Sequence, residues 1–249
     1  MERDETRNEA VDPARLLRRQ SRTAALWYLV MAITGPIGIM VIPSMLVVDG
    51  DAAATAVKIA GNQALWRVGV LSYLASQLVF IPLVLSFRSF LKEVNPGLTR
   101  AMVALVVASV PLAILNLVGY LAPLLLIGGR GYLMAFEPAQ LQALTLLSIE
   151  IMRHGEILVG FFWGLWLLPL GLLVYRSGFF PKILGVFLVI GCAGYLIDGT
   201  TAILFPAFRP ALTPFIGLTG IIGEIPFLLW LLIRGARSRK PSTAKEAII

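Results

Sequence analysis

This chain has very little with which to build a chemical motif. Its 249 residues include one cysteine and one histidine. The lone thiol, Cys192, cannot close a disulfide within the chain, and it lies in an apolar run where burial is its ordinary use. One imidazole, His154, falls short of the three protein ligands that a catalytic zinc site normally takes. Charge is scarce as well. Only 14% of residues are charged against 58% hydrophobic, whereas a water-soluble domain carries about 25% charged residues. No phosphate-binding glycine loop, nucleophile elbow, cysteine pair or nucleotide motif occurs. No apolar run contains a lysine, which removes a retinal Schiff base. No internal repeat is visible, so nothing supports an inverted-repeat transporter.

What the chain does have is apolar length, with a mean hydropathy of +0.84. A helix needs about 20 apolar residues to cross about 30 Å of hydrocarbon. Six runs qualify: Ala24–Val48, Trp66–Phe87, Ala101–Ile127, Ile157–Tyr175, Ile183–Phe205 and Phe215–Ile233. The first is followed by Ala52, Ala53 and Ala54, which resemble a cleavage site. Its length and long charged leader instead mark a retained span. The expected fold is an all-α, polytopic transmembrane bundle of six helices over residues 24–235. A basic tail (1–23) precedes it and a polar tail (236–249) follows. The tails are charge-mixed and read as disordered before about Ala14 and after Ala236.

Orientation follows from the basic residues. Arg3, Arg7, Arg15, Arg18, Arg19, Arg22, Arg88, Lys92, Arg100, Arg176, Lys182, Arg234, Arg237, Arg239, Lys240 and Lys245 fall on one side, sixteen in all. The other side holds five: Lys58, Arg67, Arg130, Arg153 and Arg209. The bias places both termini in the cytoplasm. It also accounts for the net charge of +7 without a nucleic acid partner, through attraction to anionic lipid heads. Trp27, Tyr28, Tyr175, Trp230 and Trp66 suit an aromatic belt at the interfaces.

Two outer connections carry helix signals. Asp51 is placed to cap a short helix that stops at Gly61-Asn62. Pro138 suits a first helical position, and no strong breaker follows until Arg176-Ser177-Gly178. A helix over 138–176 would run about 58 Å, so its first half must project from the outer surface or lie along it. Leu141, Leu144, Leu147 and Ile151 recur at helical spacing and form a stripe expected to be covered by protein or lipid. Gln140, Leu146 and Ile149 blur that amphipathic pattern.

Several blocks then become familiar. They are Gly50-Asp51-Ala52-Ala53-Ala54-Thr55-Ala56, Tyr132-Leu133 through Phe136-Glu137-Pro138-Ala139-Gln140-Leu141, Tyr175-Arg176-Ser177-Gly178-Phe179 with Pro181 and Ile183-Leu184-Gly185, and Gly194-Tyr195-Leu196-Ile197-Asp198. In this order they resemble a family of bacterial multi-pass membrane proteins known only as a domain of unknown function, over about residues 24–235. The resemblance implies a six-helix protein of the bacterial inner membrane and supplies no catalytic residues. Glu156 stands where that family more often carries a neutral residue.

Charge within hydrocarbon needs a partner or a purpose. Glu150, Arg153 and His154 share a helical stripe, with Glu156 one turn from Arg153. Asp198 and Glu224 lie in the fifth and sixth spans, Asn116 and Tyr120 in the third, and Arg67 opens the second. In the inferred orientation these groups share the outer half, so they are expected to converge on one outward-facing polar pocket. Arg67 and Arg153 would be its cations. Three readings follow: a structural charge network, a pocket for a lipid, ion or small molecule, and a metal-dependent hydrolase using Glu150 and His154. The single histidine argues against the third, and no cofactor or metal is assigned. Gly160-x-x-x-Gly164 and Gly217, Gly220 and Gly223 read as close-packing positions, within the bundle or against a second copy or membrane partner. Pro226, two residues after Glu224, marks a place where the helix could break. The pocket reading gives a small-ligand, lipid or solute-binding membrane module, and the network reading a structural or regulatory membrane subunit.

The orientation predicts that a cysteine placed at Lys245 resists an impermeant thiol reagent in intact cells and one placed at Arg130 reacts. Labelling at 245 from outside would reverse the assignment.

Overall fold

The computed structural model describes residues 12–129 and 131–237, all helix apart from the connections between helices. Residues 1–11 and 238–249, where most of the expected disorder falls, and Arg130 lie outside the described residues. The first helix, α1 (Pro13–Pro36), starts well before the apolar run. Asp12 accepts a hydrogen bond from the Ala14 N–H at 3.0 Å, and Pro13 occupies the first turn. Arg15, Arg18, Arg19 and Arg22 therefore ride on a helix. Pro36 has no N–H to give, and the chain passes through a π-turn (Ile37–Val41) into α2 (Ile42–Leu46).

The short helix expected after Asp51 forms as its sequence signals indicate. It is α3 (Ala52–Gly61), with Asp51 accepting from the Ala54 N–H at 2.8 Å. Next come α4 (Gln63–Leu91) and α5 (Pro96–Leu126), the latter capped by Asn95. A capping box of Glu137 and Gln140 opens α6 (Pro138–Leu165), and a single residue, Trp166, separates it from α7 (Leu167–Ser177). Together they span 40 residues, about 60 Å at 1.5 Å per residue. Gly178, at φ 70, ends α7 in the left-handed conformation that glycine adopts without a Cβ clash. The chain then forms α8 (Lys182–Leu204) and α9 (Arg209–Ile233). Continuous helix through Pro226 shows that no break accompanies Glu224.

Among the described residues, six helical stretches are long and apolar enough to cross a membrane. They pack as a ring: α1 on α4, α4 on α5, α5 on α6, α6 and α7 on α8, and α8 on α9, with α9 returning to α1. At one end, termed proximal, the Ala236 N–H donates to Ser21 Oγ at 3.1 Å and the Arg237 N–H to the Phe179 carbonyl at 3.1 Å. The distal end carries α3 and the start of α6.

Lipid tails are as apolar as leucine, so membrane helices cohere through close packing and hydrogen bonds rather than through exclusion of water. The proximal half is filled by aromatic rings. Phe80 lies edge-on to Trp166 at 4.9 Å, and Phe87 stacks on Phe227 at 5.8 Å. A distal core forms around Trp66, which donates to the Tyr120 carbonyl at 2.8 Å. Tyr120 Oη in turn donates to the Gly38 carbonyl of the π-turn at 2.9 Å.

Along the projecting half of α6 the buried stripe is Thr145, Ile149 and Met152, while Leu147 and Ile151 are 52% and 60% exposed. Protein thus covers Thr145, Ile149 and Met152, and Leu147 and Ile151 of the expected stripe face outward. Thr145 goes inward because its hydroxyl is satisfied by the Leu141 carbonyl of its own helix, at 2.8 Å.

The glycines divide into two kinds. A Cβ on Gly185 would stand 2.6 Å from the Gly171 carbonyl oxygen, and one on Gly223 would stand 2.8 Å from Gly191 Cα. A Cβ on Gly164 would meet Tyr195 at 2.5 Å. These are close-approach positions, as expected for Gly164 and Gly223. Gly160, Gly217 and Gly220 are not: a Cβ at any of them meets no atom within 4 Å, so a packing role for them within the bundle is corrected.

Gly185→Ala should therefore cost about 1–3 kcal/mol through backbone displacement. Gly160→Ala should be neutral or stabilising by about 0.5–1 kcal/mol, the helix-interior difference between the two residues. Thermal unfolding of the two purified variants tests the contrast, and equal losses would contradict it.

Candidate functional site

The polar residues inside the bundle separate into three groups. The first joins three helices. Tyr28 of α1 donates to Glu224 Oε2 of α9 at 2.6 Å, and Tyr195 of α8 donates to Oε1 at 3.3 Å. Tyr28 is 1% exposed, wedged edge-on against Phe87, Trp166 and Phe227. The carboxylate thus receives a phenol proton on each oxygen and no cation in direct contact. From Glu224 to Ile233 is about 14 Å of helix, and from Arg209 to Glu224 about 22 Å. Glu224 therefore belongs to the proximal half. Beginning the sixth span at Phe215 had placed it in the other half, since the start of α9 upstream is rich in proline.

The second group is an ion pair. Arg209, at the start of α9, grips Asp198 with Nε to Oδ1 and Nη2 to Oδ2, both at 3.0 Å. This bidentate geometry holds both charges in register. Asp198 has an arginine partner, but it is Arg209, a residue counted only as a loop cation in the sequence. Arg67, expected to serve inside, is exposed and reaches Gln63 of its own helix at 3.3 Å.

The third group lies at the distal end. Arg153 Nη1 contacts Asp49 at 2.8 Å and Glu150 at 2.9 Å. His154 is exposed, with Nδ1 on the Glu150 backbone carbonyl at 2.8 Å rather than on a carboxylate. Among the described residues no three His, Cys, Asp or Glu side chains stand where they could share a metal. Asn116 donates to the Met152 carbonyl at 2.9 Å and crowds Gly155, tying α5 to α6. Tyr120 is buried and holds the π-turn. Both are bound to backbone within the packing.

Of the expected residues, then, Glu150, Arg153 and His154 stand together. Asp198 and Glu224 pair elsewhere, and Arg67, Asn116 and Tyr120 join neither. One polar face was not anticipated. Beyond Arg153, α6 turns Met152, Glu156, Gly160 and Trp163 inward at helical spacing. On the facing helix α4, Tyr73 meets Trp163 of α6 edge to face at 6.4 Å. Tyr73 Oη, Gln77 Oε1 and Glu156 Oε1 are all buried without a hydrogen-bond partner. Tyr73 and Gln77, one turn apart on α4, are 0% and 4% exposed.

Tyr195 reaches from beside Gly164 on α6 to Glu224 on α9, and so forms a floor between the two helices. One turn distal of that floor lie Gly160 on α6 and Gly220 on α9, then Glu156 and Gly217. The three glycines have no neighbour where a Cβ would stand. On α9 the stripe Leu231, Phe227, Glu224, Gly220, Gly217 and Thr213 passes from buried to exposed along the same direction.

Comparison with known proteins bears on the family but not on the chemistry. The family described as "Domain of unknown function (DUF4386)" matches residues 23–235. An uncharacterized protein of Archaeoglobus fulgidus is 38% identical over 76 residues, 30% of this chain. The match spans 43% of that relative's length. No solved structure matches.

The two tyrosine bonds differ in length, which separates their expected effects. A hydrogen bond to a charged group contributes about 1.5–3 kcal/mol, and Tyr28→Phe should lose that full amount. Tyr195→Phe, at 3.3 Å, should lose less. Unfolding free energies in mixed micelles measure both, and a larger loss at Tyr195 would contradict the assignment.

Proposed function

Within the DUF4386 family, to which this chain belongs, we propose that this member is a ligand-binding membrane module. Its cleft lies between α6 and α9, closed proximally by the Tyr28–Glu224–Tyr195 floor and open toward the distal end. The observation that carries this reading is the set of buried, partnerless oxygens on Tyr73, Gln77 and Glu156; Gly160, Gly217 and Gly220 leave room on α6 and α9. An unsatisfied buried polar group costs about 1–3 kcal/mol. Three of them, two on α4 and one on α6, are accounted for by an occupant that supplies the missing hydrogen bonds. The occupant is a small molecule, a solute or a lipid headgroup.

The location proposed is the inner membrane of a bacterium, with residues 13 and 237 toward the cytoplasm. The supporting observation is that Arg15, Arg18, Arg19, Arg22, Arg88, Lys92, Arg100, Arg176, Lys182, Arg234 and Arg237 all fall at the proximal end or on its connections. The cleft then opens away from the cytoplasm. A structural or regulatory subunit is the alternative. It draws on the first half of α9, where Leu212, Phe215, Leu218 and Ile221 are 38%, 69%, 52% and 59% exposed and could seat a partner helix. Lipid covers such residues equally well, and this reading leaves the partnerless oxygens unaccounted for.

The test compares wild-type protein with Gly160→Leu/Gly220→Leu, extracted directly from cells in copolymer nanodiscs. Mass spectrometry should find a small molecule or lipid at near-stoichiometric amount with the wild type and depleted in the filled variant, at equal helicity. The same complement of molecules in both would overturn the reading.

A further inference from the structure

We propose that the outer face of α1 holds an anionic phospholipid at the proximal membrane surface. Its phosphate sits among Arg15, Arg19 and Arg22, and its acyl chains run along Leu26, Val30 and Ile33. This site is separate from the cleft, and neither reading depends on the other.

The rotation of α1 about its own axis is fixed by what it packs against. Ser21, Ala24, Ala25 and Tyr28 are buried, and Leu17 packs on the proximal core. Ser21 Oγ accepts from the Ala236 N–H at 3.1 Å, and Tyr28 donates to Glu224. With that face held inward, the opposite one is turned out. Arg15, Arg19, Arg22, Leu26, Val30 and Ile33 are all exposed. At 3.6 residues per turn they fall within about 80° of the helix circumference. The stripe is continuous in direction but changes character along its length. Three guanidiniums give way to three aliphatic side chains, which are 61%, 39% and 51% exposed.

That order is the order of a phospholipid, with charge at the headgroup and hydrocarbon beneath it. From Arg22 to Ile33 is about 16 Å of helix. One leaflet of a hydrocarbon core about 30 Å thick has the same depth.

Charge sets the class of headgroup. Arg15 has Asp12 at 3.9 Å, with both side chains more than half exposed. Among the described residues no carboxylate pairs with Arg18, Arg19 or Arg22. These four arginines, with Thr23 and Leu26, line an open hollow of about 600 Å³. A guanidinium presents paired N–H donors that match two oxygens of a phosphate. A zwitterionic headgroup would bring its own ammonium into the cluster and lose by repulsion what its phosphate gained. An anionic headgroup brings none. The acidic residues Glu2, Asp4, Glu5 and Glu9 of the N-terminal stretch could answer the arginines but would leave the aliphatic half of the stripe unused. A lipid engages both halves.

Full-length protein in nonionic detergent would be titrated with phosphatidylglycerol or with phosphatidylcholine of the same acyl chains. Melting temperature follows binding at fixed ionic strength, and native mass spectrometry counts the lipids retained. Phosphatidylglycerol should stabilise the wild type saturably, at a half-saturating concentration at least tenfold below that of phosphatidylcholine. Arg19→Gln/Arg22→Gln should weaken the phosphatidylglycerol response at least tenfold. Arg15→Gln/Arg18→Gln should weaken it severalfold, and serves if the first pair does not fold. Arg100→Gln/Arg176→Gln removes equal charge from α5 and α7, which lie elsewhere in the ring, and should leave half-saturation within twofold. The proposal is overturned if the two lipids bind alike or if the α1 variants respond as the wild type does. It is also overturned if the α5/α7 pair loses as much, since diffuse attraction to a charged membrane would then account for the effect. Full stabilisation by glycerol 3-phosphate would assign the hollow to a free anion. A phosphatidylglycerol response seen only with Glu2→Gln/Asp4→Asn/Glu5→Gln/Glu9→Gln would assign the stripe to the acidic N-terminal stretch. Either result overturns the proposal.

Discussion

A carboxylate in the hydrocarbon region with no cation against it is the constraint around which this bundle is arranged. Placing a charged side chain at the middle of a membrane helix costs about 2.5–3.5 kcal/mol on insertion scales. Glu224 is kept inside by two phenols donated from other helices. One comes from α1 and the other from α8, so the carboxylate joins the first span to the fifth and sixth. The ring of helices closes at that point. The aromatic core around Tyr28 follows from it, since a hydroxyl must be delivered from a ring held edge-on by Phe87, Trp166 and Phe227.

The other charges are handled by geometry suited to their depth. Asp198 and Arg209 meet in a planar two-point grip near the start of α9, while Arg153 serves Asp49 and Glu150 near the distal surface, where both are partly or largely exposed. Surface pairs of the latter kind contribute little to stability, about 0–1 kcal/mol. Glycine then decides where helices touch. Gly171 against Gly185 and Gly191 against Gly223 bring backbones together. Gly160, Gly217 and Gly220 use the same absence of a side chain to leave room.

The span count, the short capped helix after Asp51 and the long helix from Pro138 were legible because each rests on local signals: apolar length, an N-cap and a proline at a first turn. The partners of the buried charges were not. Tyr28 and Glu224 are separated by 196 positions, and nothing in a helix period says which way a distant tyrosine points. Arg209 was passed over because Pro206, Pro210 and Pro214 make the segment read as a loop, although α9 begins at Arg209 and runs through Pro214. On α6, apolar residues on both faces left the inward direction undetermined. Thr145 went inside by bonding to its own helix, a choice that hydrophobicity alone does not reveal. Glu156 was visible as an unusual carboxylate, but its significance depends on Tyr73 and Gln77 having no partner, which is a property of packing.

The tie between Ser21 and Ala236 sits at the same seam as Tyr28 and Glu224, and it bears on how the protein is made. Four spans are synthesised between the two helices that meet there. Until α9 has entered the bilayer, the Tyr28 hydroxyl has no carboxylate, and the side of α1 that α9 covers must be held by lipid or by the insertion machinery. The other contacts of the ring join consecutive spans and can form as each hairpin is made, so only the closing of this seam must await α9. A quality-control factor that surveys unfinished membrane proteins would find its signal on the first helix to be inserted.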